Sequence, residues 1–261
     1  MNLQSLDDHQ LLTAAFTAAN LGQHAQAIEH FVIALKRDPG DPFIRMAMAK
    51  CYHRMDEADL ATAQLNRVRA LAKKDPRLLL PLCEAYHETR DNDAALAVAQ
   101  TAELHAELRD TALIRQMELH ERMNRLGEAK AVMQRAQKTV KRVSPALSLA
   151  YARVLRRASK PQEARGLLES IIRRPFAGKQ SLTVAARYLL ADILHSMGEP
   201  EGVMEHLQKA KAPALSRPEA AQLRKIQEGF FRLLTPETGS GPIDWGQTAP
   251  PQSAPRLAFL V

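Results

Sequence analysis

Ala27, Ala95 and Ala164 stand 68 and 69 residues apart, close to twice 34. Each sits in the same kind of neighbourhood. The first reads LGQHAQAIEHFVIALKRDP from Leu21 to Pro39, the second RDNDAALAVAQTA from Arg90, the third SKPQEARGLLESII from Ser159. A helical unit recurring at such a period cannot bury both of its apolar faces alone. The units therefore stack into an open array with a core that runs from one to the next.

The first unit is the clearest. Leu11, Leu12, Ala15, Ala18 and Ala19 recur at helical spacing, so a helix is predicted from about Asp8 to Leu21, with Asp7 or Asp8 at its positive end. Gly22 supplies the left-handed residue of a tight turn. A second helix carries Ala27, Ile28, Phe31, Ala34 and Leu35 on one stripe, and Pro39, Gly40 and Pro42 end it. Alanine lets two helices approach closely, and Phe31 fills the space beside the crossing.

These residues resemble the tetratricopeptide repeat family. Ala15, Gly22, Ala27, Phe31, Ala34 and Pro39 match its pattern, while Leu11 stands in place of the usual Trp and Ala18 in place of an aromatic. The resemblance implies an all-α fold, a right-handed solenoid of about six helix hairpins that binds polypeptides on its inner helices. Later units are more degenerate. The second holds Ala49, Cys51 and Tyr52, then Leu60, Ala61, Leu65, Val68 and Leu71. The third holds Cys83 and Tyr86, then Ala95, Ala99 and Ala102. In the fourth, Gly127 is read as the turn, one residue short, before a helix through Ala131, Met133 and Ala136. The fifth runs from Pro145 through Ala164, with an insertion at Arg173–Lys179. The sixth turns at Gly198. Pro213 and Pro218 bracket a loop, and a capping helix over about Pro218–Leu234 closes the array, so that residues 1–234 form one helical domain.

Residues 235–255 change character, with five Pro and three Gly between Thr235 and Pro255, and read as a linker. Trp245, the chain's one Trp, is a candidate anchor in it. Residues 256–261, RLAFLV, read as a buried strand without neighbours, the orphan first strand of a further α/β domain. Ala254–Val261 (APRLAFLV) resembles the segment ahead of the phosphate-binding loop in bacterial sulfotransferases that carry an N-terminal tetratricopeptide region. That resemblance implies a parent enzyme using the sulfate donor PAPS. The loop itself is not in these residues, so no cofactor and no catalytic site are assigned to this chain.

No metal-ligand or nucleophile motif is found among the nine histidines and two cysteines; the histidines are read as surface or turn residues and the cysteines as small buried apolar groups. Neither a run of about 18 apolar residues nor a secretory signal is seen, and a cytoplasmic setting is expected. Charge is the remaining clue. The net +7 is uneven: Arg135–Arg187 holds 13 Lys or Arg against Glu163 and Glu169, so this window carries +11 and the rest −4. Arg153, Arg156, Arg157 and Arg187 are the candidate contacts for an acidic protein or peptide partner. The chain is thus expected to recruit substrate for a downstream sulfotransferase domain. The alternatives are a free-standing scaffold for protein assembly and, less favoured because the window has few aromatics, a nucleic-acid binder.

Overall fold

A computed structural model of the chain describes residues 6–140, 142–173 and 180–215. The chain divides into two compact units, 1–211 and 212–261, and the described part of the second is the end of the last helix, 212–215. The described residues form twelve α-helices and no strand: α1 Asp8–Asn20, α2 His24–Arg37, α3 Pro42–Arg54, α4 Ala58–Ala72, α5 Leu79–Glu88, α6 Asn92–Glu103, α7 Arg109–Arg122, α8 Leu126–Thr139, α9 Pro145–Arg157, α10 Pro161–Arg173, α11 Gln180–Ser196 and α12 Pro200–Leu215. A short 3-10 turn, Pro76–Leu78, leads into α5.

The helices pair into six hairpins through turns of one design. The middle residue of each turn has positive φ: Gly22, Asp56, Arg90, Asn124, Ser159 and Gly198. The first four follow one another at intervals of 34 residues. In every turn the next amide reaches back to the carbonyl five residues earlier, from Gln23 to Ala18 through to Glu199 and Leu194. This is the Schellman arrangement, which satisfies carbonyls that a helix end leaves open. Asn124, and not Gly127, therefore turns the fourth hairpin, and its turn is as long as the others. Gly127 lies inside the first turn of α8, because Asn tolerates the left-handed conformation nearly as well as Gly.

Between hairpins the starts are capped in kind. Asp41 accepts from the amides of Phe43 and Ile44, Asp75 from Arg77, and Ser144 from Leu147, each followed by Pro at the first helical position. Asp7 and Gln10 form a reciprocal capping box on α1.

Each helix from α1 to α10 packs on the next, and α3 meets α5, α7 meets α9 and α9 meets α11. Contact therefore runs along the chain from neighbour to neighbour, as in a stack. The core follows suit, as four successive clusters. Ala27, Ala61, Ala95, Ala129 and Ala164 are all buried at the same point of successive second helices, so Ala61, expected in its helix, and Ala129, not singled out from sequence, complete the alanine lane. Two expected core positions fall elsewhere. Leu60 is exposed, while Ala61 beside it is buried as expected; Ala131 is exposed and Ala129 and Val132 turn inward.

α12 continues past Pro213 to Leu215, where a loop was expected. A proline in the last turn removes one amide and leaves the preceding turns intact. The insertion at 174–179, the capping helix at 218–234, the linker at 235–255, Trp245 and the strand at 256–261 lie outside the described residues.

Candidate functional site

Registering the hairpins on their turns brings chemically unlike residues into line. Phe16, Lys50, Glu84 and Glu118 occupy one position of successive first helices, 34 residues apart, and Asn20, Arg54, Glu88 and Arg122 occupy another one turn on. From the second hairpin onward these lanes are ionic. Lys50 pairs with Glu88. Arg115 bridges Glu84 at 3.1 Å and Glu118 at 3.0 Å, and Arg153 reaches Glu118 at 3.5 Å. Partners about one period apart in sequence are thus brought side by side.

The first hairpin breaks the ladder with Phe16 and Asn20. There, α1, α3 and α5 enclose an open groove of about 630 Å³. Its apolar lining includes Phe16, Phe43, Ala47 and Ala85, and Lys50, Arg54, Glu84 and Glu88 stand along it. Phe43 is 57% and Phe16 45% exposed, in a chain whose aromatics are few. Phe16 is held edge-on to the buried Phe31, with centroids 5.2 Å apart and planes at 76°. The groove wall also holds His24, whose Nδ1 is shielded from solvent without a hydrogen-bond partner among the described residues. Rigid, exposed aromatics in a concave apolar setting are what an interaction site needs at its centre.

The four arginines singled out by sequence lie further along. Arg156 pairs with Asp192. Arg157 donates to the Glu121 carbonyl at 2.6 Å and lies 3.7 Å from its carboxylate. Arg153 has Glu118, and Arg187 Nη1 lies 3.3 Å from His206 Nδ1. Burial first, then the Arg187 charge, holds the His206 pKa below its usual value. Arg135 pairs with Glu103, and Arg165 with Glu169 and Glu199. Five basic residues of the +11 window are therefore met by acids that lie outside it in sequence: Glu103, Glu118, Glu121, Asp192 and Glu199. None of the four arginines lines the Phe16–Phe43 groove; Arg153 connects to its wall through the ion-pair chain Glu118–Arg115–Glu84.

Two histidines differ from the surface reading: His30 and His120 are buried. His30 Nδ1 lies 2.6 Å from the Gln26 carbonyl. His120 Nδ1 has no hydrogen-bond partner among the described residues, and burial lowers the His120 pKa. Cys51 and Cys83 are free and buried, and burial pushes the Cys83 thiol up to about 11. No group of three metal-ligating side chains occurs among the described residues, and no described helix is long and apolar enough to cross a membrane.

Residues 18–80, from the end of α1 into α5, match the tetratricopeptide repeat family. The matched stretch contains most of the groove, and the hairpins after it repeat its turn and its buried alanine. No curated protein matches the chain. Among solved structures it is similar to PilF of Pseudomonas aeruginosa, at 15% identity over 84% of this chain and 96% of that one, with a TM-score of 0.47. It is also similar to PilW, a type IV pilus biogenesis factor, at 14% identity over 83% and 97%, with a TM-score of 0.49. A tetratricopeptide repeat protein from Parabacteroides merdae gives 14%, 84% and 97%, with a TM-score of 0.45.

Proposed function

We propose that the chain is a protein-interaction module that holds an extended polypeptide segment in the groove of its first three hairpins. The observation that carries this reading is the pair of exposed aromatics, Phe16 and Phe43, where the ionic ladder stops. Apolar or aromatic side chains of the partner would lie against them, with the Lys50–Glu88 pair and Arg54 setting direction. Selection of peptides from a random library on the immobilised chain tests it. Enriched peptides should carry paired apolar anchors and lose at least about tenfold in affinity on Phe43→Ser. Peptides that bind the variant equally well would place the site elsewhere.

This reading serves a free-standing scaffold as well as a recruiting domain. The finer version attaches the module to a sulfotransferase domain and uses Arg153, Arg156, Arg157 and Arg187 to attract an acidic substrate in the cytoplasm. Its support is the Ala254–Val261 sequence and the basic window. PAPS would then be held by the following loop and by no residue described here. The coding sequence beyond Val261 decides: a Gly-rich phosphate loop supports it, and an immediate stop removes it.

A further inference from the structure

On the face of α3 opposite the groove, a second, shallow hollow of about 320 Å³ lies between α2 and α4. Val32, Leu35, Met48 and Tyr52 line it together with Lys36, Arg45, Gln64 and Arg67. Three cations from three consecutive helices meet here, and no Asp or Glu is in the lining. Elsewhere in the stack, basic side chains on neighbouring helices are commonly met by acids one period away. Here Lys36 and Arg67 make no ion pair or hydrogen bond among the described residues. Arg45 is half-buried and answered only by neutral oxygens, the Gln64 Oε1 at 3.2 Å and the Pro39 carbonyl at 2.5 Å. Burial, and then the Arg67 charge, lower the Arg45 pKa. Like charges gathered against an apolar floor are a local cost to the fold that an anion would relieve.

We propose that this hollow is a docking site for an acidic polypeptide segment, with carboxylates on Lys36, Arg45 and Arg67 and an aliphatic side chain over Val32, Leu35 and Met48. Charge complementarity selects the acidic partner. The open, shallow form and the apolar strip between the cations favour a polypeptide over a small anion. The site is separate from the Phe16–Phe43 groove and stands whether or not that groove binds peptide.

The test uses the full chain and a fluorescein-labelled probe of four Leu-Glu-Glu repeats, with a Leu-Gln-Gln control. The acidic probe should bind with an affinity that falls steeply between about 50 and 200 mM salt, and the control at least about tenfold more weakly. Lys36→Glu with Arg67→Glu should weaken the acidic probe by a further tenfold or more, on the order of two surface ion pairs. Both positions are exposed, so a circular dichroism melt should show the variant folded. Lys130→Glu with Lys138→Glu, two exposed positions on α8 away from the hollow, should leave binding unchanged. Equal binding of probe and control, or loss on the Lys130/Lys138 variant in place of the Lys36/Arg67 variant, overturns the assignment. So does tighter binding of a 20-nucleotide single strand that Lys36→Glu with Arg67→Glu abolishes, which would make the hollow a nucleic-acid site.

Discussion

Glu103 offers a quantitative handle on how one hairpin is fixed to the next. It ends α6, and its carboxylate takes a two-pronged contact from Arg135 of α8, Nε at 3.1 Å and Nη2 at 3.0 Å. Gln116 of α7, fully buried, donates to the same carboxylate at 2.7 Å and to the Ala99 carbonyl at 3.3 Å, and accepts from Arg135 at 2.7 Å. Burial would raise the Glu103 pKa, but the hydrogen bonds from Arg135 and Gln116 outweigh it and hold the pKa below the usual carboxylate range. Glu103→Ala removes three hydrogen bonds. Arg135 is 45% exposed, so its share is screened and contributes up to about 1 kcal/mol. The Gln116 bond is shielded, and its loss costs about 1–2 kcal/mol, since the weaker Ala99 contact remains. The expected total is about 2–3 kcal/mol in urea unfolding at pH 7.

Glu103→Gln separates charge from packing. Because the folded pKa is depressed, the ionic contribution is complete above the unfolded value of about 4.3 and is lost as pH falls through the folded one. Wild type and Glu103→Gln should therefore differ at pH 7 and converge by about pH 2–3. Hydrogen exchange should place the loss in α6–α8. A Glu103→Ala cost under about 0.5 kcal/mol, or a Glu103→Gln difference that persists undiminished in acid, would refute the charged clamp.

Gly166 lies exposed inside α10 with nothing within 4 Å of an added Cβ, so Gly166→Ala should stabilise by about 0.5–1 kcal/mol, read from the urea midpoint. Arg90 holds a φ of 63° at an exposed turn, and Arg90→Gly should gain about 0.5–1 kcal/mol; a loss would mean that its side chain makes a contact of its own. Both thiols should resist a disulfide reagent at pH 8 in the folded chain and react on unfolding, since Cys51 and Cys83 are buried and their pKa values raised.

The stacked fold was legible because alanine and glycine at crossings and turns leave no substitute signal: Ala27, Ala95, Ala164, Gly22 and Gly198 mark the period directly. Asp56, Arg90, Asn124 and Ser159 do the same work without a glycine: Asp, Asn and Ser occur in caps and loops of many kinds, Arg90 carries no turn signature, and the repeat register is what singles them out. The same register explains why charge misled. Counting along the chain makes Arg135–Arg187 a basic block, but a stack sets each residue beside others about 34 away, and Glu118, Glu121 and Asp192 are there to meet it. Phe16 and Phe43 escaped notice because each is unremarkable in its own helix. Their meaning comes from comparison with Lys50 and Glu84, which hold the Phe16 position in the next two hairpins.

The most direct measurement is hydrogen–deuterium exchange on the full chain with and without a library-selected peptide at saturation. Protection is expected on the C-terminal half of α1, on α3 and on the facing part of α5, with α9 and α11 unchanged. Protection centred on α9 and α11, with none around Phe16 and Phe43, would contradict a groove at the first three hairpins.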